Sequence, residues 1–235
     1  MMDGSPAGEG VALAHDPDTH VPFADRQAAG GALADALFAR WSDPTANNSV
    51  VVALPRGGVP VAAVVARALS APLDVIIVRK LGVPTQPELA MGAIGEGGVR
   101  VLNREVIAAL RITDEQLERV EQRERSELER RSIRLRAGRP RIAVSGRAVI
   151  LVDDGLATGS TARAAVGVAR AQGATHVVVA IPVAPASTVA ELSTVADDVV
   201  CVATPEPFAA IGQWYRDFRP TSDDEVVAIL NEFAP

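Results

Sequence analysis

The stretch Val149–Thr161, VILVDDGLATGST, decides the fold. Four apolar residues run into two adjacent aspartates, Asp153 and Asp154, and then into small and hydroxyl residues. A short apolar run without polar alternation fits a strand buried on both faces, as in a parallel sheet covered by helices. In such sheets ligands bind beyond the carboxyl ends of the strands, where the two aspartates fall. Gly155 to Thr161 then lead into a helix. Small residues let backbone N–H groups converge on one point, and the helix N-terminus adds partial positive charge. Thr158, Ser160 and Thr161 add hydroxyl donors. The segment is a phosphate cradle built without a positive side chain, and the carboxylates before it are acceptors suited to a polyol such as ribose. The Gly-Lys-Ser/Thr ending of a P-loop is missing, as is the G-x-G-x-x-G of a dinucleotide-binding turn.

Outward from this stretch, strands and helices alternate. Phe23–Trp41 has apolar residues at helical spacing, weakened by Gly30 and Gly31. Val50–Leu54 reads as a strand stopped by Pro55, Val59–Ser70 as a buried helix, and Leu73–Gly82 as a second strand ending at the basic pair Arg79–Lys80. Val83–Asn103 reads as a long loop with a short hairpin around Gly97–Gly98. After Asn103 the composition changes. Residues 113–136 are dense in both signs of charge, with Leu117, Val120, Leu128 and Ile133 as apolar anchors. Thr113 and Gln116 fit a capping box. An exposed helix or helical hairpin inserted at about 103–140 is expected, its arginines forming a solvated face. The core returns at Arg147–Gly155, with a helix Ser160–Gln172 ended near Gly173, strand His176–Ala184, helix Ser187–Val195 and strand Asp198–Thr204. A last helix starts at Ser222, where Glu225 completes a second capping box. This order predicts one α/β domain, 21–235, around a mostly parallel sheet flanked by helices. A flexible tail is expected at 1–20 and a small C-terminal hood at about 204–235.

Composition narrows the partners. The chain has 235 residues, 48% hydrophobic, with net charge -6 and a pI of about 5.2. It therefore has no bulk attraction for nucleic acid or anionic membrane, and an anion site must be built locally. No apolar stretch approaches the ~20 residues of a membrane span, and the start lacks the basic n-region of a secretory signal. A cytoplasmic setting is the expectation, and a homo-oligomer is left open. The single cysteine, Cys201 in DVVCVAT, forms no internal disulfide and reads as a strand filler. His15, His20 and His176 fit no metal-ligand spacing.

VILVDDGLATGST resembles the phosphoribosyl-pyrophosphate motif of the type I phosphoribosyltransferases, and the resemblance covers about Val50 to Thr204. It implies that Asp153 and Asp154 hold the ribose 2- and 3-hydroxyls. Gly155, Ala157, Thr158, Gly159, Ser160 and Thr161 would then wrap the 5-phosphate. LPRGG, Leu54–Gly58, is similar to the family's pyrophosphate loop, so Arg56, Gly57 and Gly58 would meet the leaving group. The family often places a non-proline cis peptide in this loop, and Arg56–Gly57 is the bond expected to carry it. Val78–Lys80 resembles the basic strand end whose cations reach the pyrophosphate, here Arg79 and Lys80, the latter the only lysine in the chain. By this resemblance the reaction is transfer of a phosphoribosyl group to a nitrogenous base or other acceptor. Arg56, Arg79, Lys80, Asp153 and Asp154 would be the catalytic set. Mg²⁺ would be bound mainly through pyrophosphate and ribose hydroxyls, and the loop Leu81–Gly98 would close over the site.

The acceptor is less legible. Ala157 stands where 6-oxopurine enzymes carry an extra aspartate, which points toward the adenine and orotate type. Phe208, Trp214 and Tyr215 are the base-hood candidates. Gly212–Asp217 is similar to the hood run of 6-oxopurine enzymes, with Asp217 as a metal contact, and this opposes the indication from Ala157. The charged insertion departs from the salvage enzymes, which suggests a less characterised branch. A non-catalytic regulator sensing phosphoribosyl pyrophosphate or nucleotides is the alternative. The retained cations and both aspartates favour the enzyme.

Overall fold

The computed structural model describes residues 23–40 and 48–233. The expected tail at 1–20, with His15 and His20, and also Trp41 lie outside the described residues. In chain order the elements are α1 (Arg26–Arg40), β1 (Ser49–Ala53), α2 (Gly58–Ala68) and β2 (Leu73–Val75). They continue with β3 (Val78–Val83), β4 (Gln86–Gly95), β5 (Arg100–Leu102), α3 (Arg104–Ala109) and α4 (Asp114–Arg136). β6 (Ala148–Val152), α5 (Ser160–Ala171), β7 (His176–Val183), α6 (Ala186–Leu192), β8 (Asp198–Ala203) and α7 (Asp223–Asn231) follow.

Five strands form one sheet in the order β2-β1-β6-β7-β8, with every neighbour parallel. Each residue of β1 is buried, because both faces are covered and alternate side chains enter different cores. Val51 and Ala53 pack with Leu33, Leu37 and the apolar face of α2. Val50 and Val52 pack with Ala162, Val166 and Leu192 from α5 and α6. That two-sided burial is why the strands read as continuous apolar runs. Cys201 is one of these fillers, and burial pushes its thiol up to about 12. Among the described residues no helix is long and apolar enough to cross a membrane.

The chain runs from β1 outward to β2 on one side, and β6 takes the place on β1's other side. The sheet thus reverses direction between β1 and β6, and a crevice opens beyond their carboxyl ends. Ala53 is level with Val152, and Leu54 N–H still donates to Val152 O at 2.8 Å. The loops LPRGG and DDG therefore leave the sheet side by side.

Three sequence expectations change here. Leu73–Gly82 is not one strand. Ile76 and Ile77 bury into opposite cores while the chain leaves the parallel sheet, so its apolar run conceals the break. Val83–Asn103 is not a long loop but most of an antiparallel sheet, β3-β4-β5. Pro84 and Pro87 sit at the exposed outer end beside the register shifts, while Met91 and Ile94 anchor the inner end. The turn at Gly97–Gly98 lies where it was expected, with both residues at positive φ. Finally, Ile133 is no anchor: it is 75% exposed, and Leu135 takes its place in the core beside Leu117, Val120 and Leu128.

Both expected capping boxes are present, Thr113 with Gln116 and Ser222 with Glu225. The inserted helix α4 is not merely a solvated appendage. Arg136, 5% exposed, reaches into the body. It pairs with Asp74 Oδ1 at 3.1 Å and Glu96 Oε2 at 2.9 Å and donates to Val75 O at 2.8 Å. Asp74 also accepts from the N–H groups of Val75 and Ile142. The network ties the end of α4 to the end of β2 and the turn after β4. Removing one partner of a buried ion pair leaves the other charge uncompensated. Arg136→Met is therefore expected to cost about 3–5 kcal/mol, read as a lower midpoint in urea denaturation at neutral pH.

Candidate active site

Asp153 and Asp154 follow β6 directly. Asp154 N–H donates to Asp153 Oδ1 at 2.9 Å, which folds the first carboxylate back over the second residue. Asp154 is 8% exposed. Burial and the neighbouring Asp154 charge push the Asp153 carboxyl well above the usual carboxylate range. Burial also raises Asp154, against the pull of Arg26. Two like charges in one dry spot each favour a protonated neighbour. Gly57 comes so close that a Cβ there would lie 2.0 Å from Asp154 Oδ2. The loop Leu54–Gly58 is thus packed on the carboxylate pair, and only a residue without a side chain allows it.

The loop after the pair leads into a helix N-terminus, as its sequence suggests. Gly159 has φ +64 and is the N-cap of α5, so the first N–H groups of that helix point out of the loop without intrahelical partners. Thr188 Oγ1 donates to Ala157 O at 2.7 Å and holds the loop from below. Thr158 Oγ1 and Ser160 Oγ lie 3.1 Å apart. Ala157, Thr158, Ser160 and Thr161 are exposed.

The cations reach this crevice from three directions. Arg56, in the loop after β1, is 47% exposed and pairs with Asp223 of α7 at 3.2 Å. The non-proline cis bond of the loop precedes Arg56 rather than following it: it is Pro55–Arg56 and not the expected Arg56–Gly57. Arg79 and Lys80 do not end a parallel strand. They lie in β3, and that sheet brings them over the site from above. Arg79 pairs with Glu124 of α4 at 2.7 Å and Lys80 with Glu88 at 3.4 Å. A cavity of about 890 Å³ is lined by Pro55, Arg79, Lys80 and Thr161 together with side chains of α4.

The C-terminal region divides. Val226 and Leu230 of α7 join the main core, so this helix packs on the body and is no part of a hood. Phe208, Ile211, Trp214, Tyr215 and Phe218 cluster instead with Phe23 and Ala29. Tyr215, a base-hood candidate by sequence, is 5% exposed. Its ring centroid lies 5.6 Å from that of Phe23 and 5.0 Å from that of Phe218. Its hydroxyl donates to Asp154 O at 2.5 Å, and burial pushes the phenol up. It is a support for the carboxylate pair and offers no face for stacking. Phe208 and Trp214 are half-buried. Asp217 is held by Arg219 at 2.7 Å, which keeps its carboxyl below the usual range.

One site residue escaped the sequence reading. Arg26, at the start of α1, donates from Nε to Asp154 Oδ2 at 2.8 Å, and its Nη2 lies 2.8 Å from the same oxygen. Its guanidinium carbon sits 4.1 Å from the Phe218 ring centroid, and Nη1 donates to Arg219 O at 2.8 Å. It lies far from the motif in sequence, and a lone arginine at a helix start carries no signal of its own.

The sequence pattern of the family described as "Phosphoribosyl transferase domain" matches residues 25–215. The chain belongs to this family. Its mostly parallel sheet flanked by helices is the architecture the sequence predicts. Proteins named "Putative phosphoribosyl transferase" from two Mycobacterium tuberculosis strains, CDC 1551 / Oshkosh and ATCC 25618 / H37Rv, are each 54% identical to it over 209 residues. That is 89% of this chain and 46% of each relative, so the chain spans about half their length. The crystal structure of TT1426 from Thermus thermophilus is 46% identical with TM-score 0.82, covering 92% of this chain and 100% of that one.

The strained carboxylate has a measurable consequence. With its folded pKa above the unfolded one, Asp153 contributes favourably below the unfolded value, and that contribution is lost as pH rises through the folded value. Asp153→Asn keeps the oxygen that accepts from Asp154 N–H and removes the charge. The variant is expected to melt above the wild type at pH 7 in calorimetry, with the gap closing as pH falls toward 4. An unchanged melting temperature at pH 7 would show that the carboxylate is not destabilised.

Proposed function

We propose that the protein is a phosphoribosyltransferase that moves the 5-phosphoribosyl group of phosphoribosyl pyrophosphate to a nitrogenous acceptor and releases pyrophosphate. The observation that carries this reading is the meeting of two loops at the β1–β6 crevice. An acid pair and a phosphate cradle follow β6, and a Gly-packed cationic loop follows β1. A ribose 5-phosphate spans the first pair of features, and the diphosphate on its anomeric carbon reaches the second.

Asp153 and Asp154 accept from the ribose 2- and 3-hydroxyls. The backbone N–H groups and hydroxyls of residues 157–161 donate to the 5-phosphate. The anomeric C–O bond breaks with oxocarbenium character as the acceptor nitrogen forms its bond to the same carbon. Charge then grows on the departing diphosphate, where Arg56, Arg79 and Lys80 stabilise it. The β3-β4-β5 sheet is placed to exclude water, so that the acceptor and not hydroxide takes the sugar.

Mg²⁺ takes hard oxygen donors and keeps waters. The chain offers the adjacent carboxylates, and no group of three or more potential ligand residues clusters among the described residues. Such a donor set fits an ion held chiefly by the oxygens of the donor substrate, where it would neutralise diphosphate charge.

A pyrophosphate-release assay with phosphoribosyl pyrophosphate, Mg²⁺ and a panel of purine and pyrimidine bases tests the reading. Release that depends on one class of base is expected. Donor binding without release for any base would leave a sensor and remove the enzyme. In a separate titration, Asp153→Asn combined with Asp154→Asn is expected to weaken donor affinity by about a hundredfold or more, since each charge-assisted hydrogen bond contributes about 1.5–3 kcal/mol. Wild-type affinity in a folded double variant would sink the site assignment.

A further inference from the structure

The inserted helix contributes a cation that sequence reading assigned to a solvated face. Arg131 on α4 is half-buried, and its Nη2 donates to Pro55 O at 3.0 Å. That carbonyl belongs to the residue before Arg56, so the guanidinium lies against the loop assigned to the leaving group. Arg131 also lines the cavity shared by Arg79 and Lys80, toward which Arg119 and Arg123 of the same helix face.

Its neighbours on α4 are differently placed. Arg125 pairs with Glu121, Arg130 with Glu127, Arg134 with Asp223, and Arg136 with Asp74 and Glu96. Among the described residues no carboxylate lies within ion-pair distance of Arg131. Burial disfavours its charged form, and the positive charges of Arg79 and Arg56 add to that, while Asp223 and Glu127 oppose it more weakly. A half-buried cation facing two others, with one neutral carbonyl as partner, is an arrangement that an anion relieves.

We propose that Arg131 is an anion-binding residue of the donor site, forming with Arg56 and Arg79 a three-guanidinium subsite for a diphosphate group. The insertion is then part of the site and reaches it across the top of the cavity. The inference rests on the reading of the Leu54–Gly58 loop as the diphosphate end of the donor site. A guanidinium fork suits this task because one edge can hold the Pro55 carbonyl while the other meets phosphate oxygens.

Titration calorimetry with inorganic pyrophosphate, and separately with phosphoribosyl pyrophosphate, tests it on the full chain. Arg131→Gln is expected to weaken both about tenfold or more, and to flatten the dependence of pyrophosphate affinity on salt. Arg130→Gln, one position away and paired with Glu127, is the control and is expected to match the wild type. Circular dichroism checks that α4 stays folded. If the glutamine variant does not fold, Arg131→Lys, which keeps charge but cannot bridge carbonyl and phosphate, is expected to lose affinity several-fold. Wild-type affinity and salt dependence in a folded Arg131 variant would overturn the inference, as would a wild type that does not bind pyrophosphate. Pyrophosphate binding that needs Arg131, in a protein that transfers to no acceptor, would uphold the subsite and remove the transferase reading.

Discussion

Everything at the crevice depends on keeping two carboxylates together at the end of β6. Asp153 and Asp154 are forced into proximity by chain connectivity, with Asp154 buried and Asp153 half-buried among the loops around them. Burial raises both, and the Asp154 charge adds to the cost of ionising Asp153. The neighbourhood is organised around that cost. Gly57 gives up its side chain so that the β1 loop can lie against the pair. Tyr215 hydrogen-bonds the Asp154 carbonyl, and Arg26 supplies a counter-charge from α1. The aromatic cluster of Phe23, Tyr215 and Phe218 holds these groups in place, so the C-terminal segment braces the carboxylate pair.

The buried and the partly exposed ion pairs around the cavity play different parts. Arg136, Asp74 and Glu96 are buried and mutually satisfied, and they fix one end of α4 against the parallel sheet. Arg56, Arg79 and Lys80 sit in partly exposed pairs with Asp223, Glu124 and Glu88. Exposed pairs of this kind contribute roughly 0–1 kcal/mol each, so these cations are weakly held. The arrangement combines a rigid mount with exchangeable cations at its inner edge.

Local patterns in the sequence specified the parallel core and the two loops that leave it at β1 and β6 because those features are local. A buried strand, an acid pair and a glycine loop are each contiguous, and their chemistry is written in adjacent residues. The capping boxes at Thr113 and Ser222 were legible for the same reason. Long-range placement was not. LDVIIV could not reveal that Ile76 and Ile77 diverge into different cores, because both are equally apolar. Arg26, Arg131 and Arg136 look alike among many arginines, and only tertiary contacts give the first a carboxylate, the second a carbonyl and the third two buried acids. Tyr215 read as an aromatic available for stacking, yet its hydroxyl and both ring neighbours are spent on support.

The Arg26 contact has a geometric feature that bears on how a sugar would enter. Both Nε and Nη2 point at Oδ2 of Asp154, so the guanidinium grips one oxygen and leaves Oδ1 outside its fork. A bidentate pair would occupy both oxygens and would have to break before a hydroxyl could bind. Here the arginine can stay. It holds the carboxylate in one rotamer and offsets part of its burial cost. The cation–π contact with Phe218 and the bond to Arg219 O fix the arginine in turn. Asp154 is thus preorganised by a residue that competes with no sugar hydroxyl for Oδ1. Asp153 makes no such ion pair among the described residues, so it is the member of the pair whose ionisation depends most on what arrives.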